Sequence, residues 1–336
     1  MVSMKDIAKK CGVSVATVSK ALNDLSDIGD DTKEKVRRAA KELGYFPNSS
    51  ARALKTKRTY NIGVLFVDES KSGLTHDYFS HVLDSFKRTA EDKGYDITFI
   101  NSMGKRNMSY LEHSHYRGVD GVVIACVDFN DAEVIELIHS DLPVVTIDHV
   151  FDYRTAVVSD NIKGMQDIVD YVCSLGHEKI ALIIGDDTSV TQNRLGSYYR
   201  TLEKHNIVPP DEYILKASYI DPDKSYERTK ELLALKNPPT CIIYPDDYSC
   251  IGGINAINET GLRIPEDISV VGYDGSYISK IIVPKLTTVS QDTERIGSVA
   301  AEKLIQLIEN PRTTLIEKII IDGELIEGSS VKNIVE

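Results

Sequence analysis

Residues 4–23, MKDIAKKCGVSVATVSKALN, read as two short amphipathic helices joined by a tight turn. Ile7, Ala8 and Cys11 form the apolar stripe of the first, and Gly12 closes it where a left-handed residue is needed. Ser14 is placed to cap a second helix whose stripe is Val15, Val18, Ala21 and Leu22. So short a turn sets the two helices at a sharp angle.

Outward from this pair, a third helix is predicted from about Thr32 to Leu43. Asp31 and Glu34 are spaced like a capping box, Gly44 is the stop, and Val36, Ala39, Ala40 and Leu43 face inward. Tyr45-Phe46-Pro47 ends this head. Residues 1–60 hold thirteen Lys and Arg against seven Asp and Glu, a net of +6. The whole chain carries −12, which leaves −18 on the remainder. A basic head on an acidic body points the head at a polyanion. The following stretch, PNSSARALKTK, is too short to be a stable helix alone and reads as a hinge that folds against a partner.

After Thr59 the pattern changes. NIGVLFVD, YDITFIN, GVVIACVD, PVVTIDH, KIALIIGD, CIIYPDD and ISVVGYDG are Val- and Ile-rich runs ending in polar residues, with helical periods between them. They predict a doubly wound parallel α/β body of two similar lobes. The expected organisation is a head over 1–46, a hinge helix over 47–58 and a core over 59–336. Within the core, lobe 1 takes about 59–160 and 291–325, including a strand around Ile319-Ile320-Ile321, and lobe 2 takes about 161–290. Ligands of open α/β sheets bind at the carboxyl ends of the strands, so the polar residues there are the site candidates.

Composition narrows the functional classes. The 336 residues are 42% hydrophobic and 27% charged, without an apolar run near the ~18 residues of a membrane span. The first residues lack the basic and apolar regions of a secretory signal, so the expected location is the cytoplasm. Five scattered cysteines, Cys11, Cys126, Cys173, Cys241 and Cys250, fit buried thiols and no disulfide framework or zinc cage.

Residues 4–23 closely resemble the helix-turn-helix of the lactose-repressor (LacI) family, and Gly44 to Asn48 with Ala51-Arg52-Ala53-Leu54 resembles its hinge. Val158-Ser159-Asp160-Asn161, Leu175-Gly176-His177, Arg194, the run Gly261 to Asp274 and Leu286-Thr287-Thr288-Val289 are similar to its core, which is like a type I periplasmic binding protein. The resemblance spans essentially the whole chain. It implies a dimeric bacterial regulator whose heads read a palindromic double-stranded operator and whose core binds an effector, commonly a sugar. No cofactor or metal is implied.

In a helix-turn-helix the second helix lies in the major groove with its first residues on base edges. Val15 and Ala16 offer apolar contact to thymine methyls, and Lys20 can donate to guanine. Ser14, Thr17, Ser19 and Asn23 suit phosphates. The resemblance adds Asn48, Ala51, Arg52 and Lys55 in the hinge, with Leu54 as a wedge in the minor groove. A Leu that only packs the hinge pair is the plainer alternative for that residue.

The strand ends nominate Asp68, His76, Tyr78 and Phe79 in the first lobe, Asp148, Asp160 and Asn161 near the crossover, and Arg194, Tyr219, Asp246 and Asp274 in the second. Arg194, Asp148 and Asp274 fall on positions that bind effector in the resembling family. Carboxylates accepting from hydroxyls, a guanidinium fork and aromatic faces suit a polyhydroxylated ring, so a neutral sugar is expected. For each Asp, capping the next helix is the competing role. Asp246 stands where many relatives have Asn, and the extra acid would suit an amine-bearing sugar.

Other classes fit less well. No phosphate loop or nucleophile elbow is present, and the most metal-like string, Glu112-His113-Ser114-His115, reads as loop or solvated helix. A secreted sugar-binding protein has no use for the head. The alternative that remains is a global regulator of the same family controlled by a partner protein.

Overall fold

The computed structural model describes residues 2–46, 58–67, 73–101 and 108–335. It divides into two compact units, Met1–Thr59 and Tyr60–Glu336. The expected hinge helix, with Asn48, Ala51, Arg52, Leu54 and Lys55, lies outside the described residues, as does Asp68.

The head is three helices around one small core. In α1 (Met4–Cys11) the Asp6 carboxylate accepts the Ser3 amide at 2.9 Å, and Gly12 ends the helix at φ 64°, a left-handed conformation that glycine adopts without strain. In α2 (Val15–Leu22) the Ser14 hydroxyl accepts the Thr17 amide at 3.0 Å. The third helix, α3 (Asp30–Leu43), starts earlier than expected. Gly29 is its N-cap and makes no side-chain bond, so the capping box expected of Asp31 and Glu34 is absent; Asp31 sits inside the first turn, where its charge meets the helix dipole. Ile7, Ala8, Cys11, Val18, Ala21, Val36, Ala39 and Ala40 are buried together. Val15 is left out of that stripe at 42% exposure.

The core opens with β1 (Asn61–Phe66), α4 (Asp77–Asp92), β2 (Asp96–Ile100), α5 (Tyr110–Arg117), β3 (Gly121–Ala125), α6 (Ala132–His139), β4 (Val144–Ile147) and β5 (Thr155–Ser159). The chain then crosses into α7 (Asn161–Ser174), β6 (Ile180–Ile184), α8 (Ser189–Lys204), β7 (Ile214–Lys216), α9 (Pro222–Leu233), β8 (Cys241–Ile243), α10 (Asp247–Glu259), β9 (Ser269–Val271), α11 (Tyr277–Ile281) and β10 (Thr288–Ser290). It returns through α12 (Thr293–Glu309) and β11 (Lys318–Ile321) before ending in β12 (Glu324–Ile326).

The first sheet is parallel throughout, in the order β2-β1-β3-β4-β5-β11, and the second runs β7-β6-β8-β9. Bridges Val271–Thr287 and Asp274–Ser290 carry the second sheet on to β10, against which β12 lies antiparallel. Both faces of each sheet are covered, so strands such as β3 (GVVIA) are buried at every position. One face of the first sheet packs Val82, Phe86 and α12 residues Ala300 and Leu304; the other packs Leu137 and Ile138.

One boundary differs from expectation. The return of β12 (Glu324–Ile326) against β10 takes residues 324–325 out of the first lobe and into the second, and the tail follows: Ser330 donates to Val270 and Ile334 to Leu175. Strands β5, β7, β10 and β12 were not anticipated as strands. Glu112-His113-Ser114-His115 lies in α5, where Glu112 completes a capping box with Ser109 and buried His113 accepts the Asn101 amide at 3.1 Å.

Candidate functional site

In the head, α2 presents its polar and small residues outward. Ser14, Val15, Ala16, Lys20 and Asn23 are exposed, and Thr17 and Ser19 are half-buried. The Ser14 and Thr17 hydroxyls share a 2.8 Å hydrogen bond, and Asn23 Nδ2 donates to the Ser19 carbonyl at 2.7 Å. Lys20 Nζ is paired with the Asp27 carboxylate, and Arg37 with Asp24 at 2.8 Å. The hold of Asp27 on Lys20 was not foreseen, because no helical period links residues seven apart across a turn.

In the core, the carboxyl ends of the two sheets enclose a cavity of about 460 Å³, within the range of ~300–1,000 Å³ usual for ligand sites. His76, Tyr78, Phe79, Asp148, Asn161, Arg194, Tyr219, Asp246 and Asp274 all line it. Of the described sequence candidates, Asp160 is the exception. Its carboxylate caps α7 by accepting the Lys163 amide at 2.9 Å, so it is a helix cap and no part of the wall.

Arg194, on α8, is 6% exposed and fixed from several sides. Nε donates to Asn161 Oδ1 at 2.7 Å, one terminal nitrogen donates to the Pro245 carbonyl at 2.8 Å, and the other lies 3.9 Å from Asp274 Oδ1. Its guanidinium carbon sits 3.4 Å from the centre of the Tyr273 ring, a cation–π contact that replaces part of the lost hydration. The fork is thereby aimed before any ligand arrives.

Three carboxyls behave differently although each follows a strand. Asp148, left-handed at φ 59°, accepts Tyr78 OH at 2.6 Å and the Ser159 amide at 3.1 Å. Burial pushes its pKa up, against the pull of those bonds. Its backbone carbonyl accepts Ser189 Oγ at 3.2 Å, a contact between the two lobes. Asp246 is 1% exposed and spent as the cap of α10, accepting the Ser249 amide and hydroxyl, both at 2.7 Å, and the Ile220 amide at 2.9 Å. Asp274, at φ 100°, accepts Gln291 Nε2 at 2.6 Å through Oδ1, while Oδ2 takes no hydrogen bond from the described residues. Burial, with Asp246 and Asp148 nearby and against the pull of Arg194, pushes its pKa up to about 7.

Several wall residues were missed. The rings of Phe129 and His149 stack at 4.2 Å and 8°, and burial holds the His149 pKa down. Both follow strands, but aromatic identity after a strand carries no distinctive period. Asp186, Ser189 and Gln291 also line the cavity. Behind the wall, buried Asp247 accepts Ser276 and Thr288 and is pushed up to about 8, chiefly by burial.

Comparison with known proteins fits both halves. Residues 3–48 match the model of bacterial regulatory proteins of the lacI family, and residues 169–331 match the periplasmic binding protein-like domain. ExuR of Bacillus subtilis, described as a probable HTH-type transcriptional repressor, is 33% identical over 338 residues, 99% of each chain. The Lac repressor dimer bound to operator and the anti-inducer ONPF superposes with TM-score 0.82 at 27% identity, over 98% of this chain and 99% of that one. A LacI family regulator from Enterococcus faecium with bound ribose gives 0.70 at 25% identity, over 82% of this chain and 100% of that one. With a head and a ligand-sized cleft that align end to end with such repressors, this chain belongs to the LacI family of bacterial regulatory proteins, which act as transcription regulators and not as enzymes.

Proposed function

We propose that the chain is a dimeric repressor of carbohydrate-use genes that holds a palindromic operator through α2 and the hinge, and that a small sugar-like effector in the core sets its grip. The observation that carries this reading is the arrangement of Arg194. A guanidinium fixed by Asn161 and Pro245, beside a carboxylate with a free oxygen and under aromatic walls, suits adjacent hydroxyls on a ring. The Enterococcus faecium regulator with bound ribose is consistent with this ligand class. Two-fold symmetry in the protein matches two half-sites about one helical turn, ~34–36 Å, apart.

The test is a thermal-shift screen against monosaccharides, since a ligand at 100 times its Kd adds about 2.7 kcal/mol to stability. The best ligand is then titrated into protein bound to a palindrome selected from random duplexes. Arg194→Ala is expected to abolish the effector response and leave operator affinity without effector nearly intact. A normal response in that variant sinks the reading. If every small molecule fails to shift the melt, control by a protein partner replaces it.

A further inference from the structure

The charge of the cleft is out of balance. Asp128, Asp148, Asp186, Asp187, Asp246 and Asp274 line it, against Arg194 as the cationic side chain among the described lining residues. His149 adds no positive charge, because burial favours its neutral form. Three helices, α7, α8 and α10, begin at the cavity, and their positive ends would favour an anion. Two of those ends are already met by carboxylate caps, Asp160 on α7 and Asp246 on α10. Burial raises the pKa of Asp148, Asp246 and Asp274, the last to about 7, so the wall presents acids that ionise most readily beside a cation and offers an anion nothing but Arg194 among the described lining residues.

The acid placed to use this is Asp274. Asp246 is surrounded by three donors, whereas Asp274 Oδ2 is open to the cavity among the described residues. The first lobe lines the same cavity with Phe79 and the stacked Phe129–His149 pair, which lower the water content around these acids. Asp128, Asp186 and Asp187 are exposed at the rim and extend the negative potential toward solvent.

We propose that the effector carries a protonated amine, an amino sugar or a similar aminated polyol, with the ammonium on Asp274 and hydroxyls on Arg194 and Asp148. The inference rests on the sugar-binding reading above and sharpens it from a neutral ring to a cationic one. It also states what the cleft rejects: uronates and sugar phosphates bring an anion to a wall of carboxylates.

The experiment measures Kd for matched trios of hexose, 2-amino-2-deoxyhexose and hexuronate, in the gluco, galacto and manno series, at pH 7.5 and two ionic strengths. In the series that fits, the amine is expected to bind at least about tenfold tighter than the hexose, ~1.4 kcal/mol, and the uronate more weakly than either. Raising ionic strength from about 0.05 to 0.5 M weakens the amine and spares the hexose, because only the former gains from screened charges at the rim. Asp274→Asn is expected to remove the preference for the amine. Equal affinity of amine and hexose, or preference for the uronate, overturns the charge inference and leaves the sugar reading standing. Failure of all three members in every series overturns both. If Asp274→Asn does not fold, the salt dependence of the wild-type protein still decides.

Discussion

Asp274 and Asp247 are carboxyls that the second lobe keeps close to neutral, at about 7 and about 8, through burial above all and then through their neighbours. In the unfolded chain both return to about 3.9. Between pH 4 and 7 the folded chain thus keeps a proton that the unfolded chain has lost, so stability falls as pH rises through that window. His149 and His177, both held down by burial, act in the opposite sense, since the unfolded chain takes up protons there first. Comparing wild type with Asp274→Asn cancels the histidines and leaves Asp274, with Arg194, Asp246 and Asp148 as the charges it feels. Urea midpoints at pH 5, 6, 7 and 8 are expected to show wild type losing stability relative to Asp274→Asn as pH rises. A difference that is flat or rises over that range would mean that Asp274 is already charged at pH 5. The same residue marks what sequence could not resolve. Asp148, Asp160, Asp246 and Asp274 each follow an apolar run, yet Asp160 and Asp246 are caps, and only the positions of Lys163, Ser249 and Ile220 distinguish them.

At the scale of elements, α2 must be short, capped and exposed at its start if it is to enter a groove. Ser14 supports both ends of that requirement, as cap of the helix through Thr17 and as a candidate phosphate contact. Three substitutions separate the roles. Ser14→Ala removes the cap and is expected to cost about 1 kcal/mol of head stability. Ser14→Gly costs only a few tenths by the same rule. Ser14→Asp keeps a good cap while bringing a carboxylate toward the phosphates, so hydrogen exchange in α1–α3 stays protected and operator affinity drops. Unchanged affinity in Ser14→Asp would move Ser14 away from the DNA backbone. Most of the strands were legible because burial makes them apolar runs, three-residue β8 and β9 included. β7, β10 and β12 were not, since ILK, TVS and ELI are short and mixed, and neither was β5, whose TAVVS opens and closes on polar residues; pairing with neighbours holds all four.

For the molecule as a whole, the chain passes between the lobes of the core near residues 159–161, 290–293 and 321–324, and these crossings lie side by side, with Asp160 donating to the Ile321 carbonyl. Asp148 stands beside the first of these crossings, its carboxylate accepting the Ser159 amide, and its carbonyl accepts Ser189 Oγ from the other lobe. Among the described residues, those that line the cavity lie between Val67 and Gln291, and the apolar clusters of the core draw on residues from Tyr60 onward. The head cluster in turn draws only on residues from Met4 to Tyr45. Core folding and effector binding are therefore expected to survive removal of the head, while operator binding is not. A fragment of residues 60–336 should bind the best sugar of the screen with unchanged affinity by calorimetry, show the same ligand-induced rise in melting temperature, and leave the palindrome unshifted in a gel. Loss of sugar affinity in a fragment that still melts cooperatively would show that the first 59 residues shape the cleft, and would remove the basis for treating the two units as separately folded.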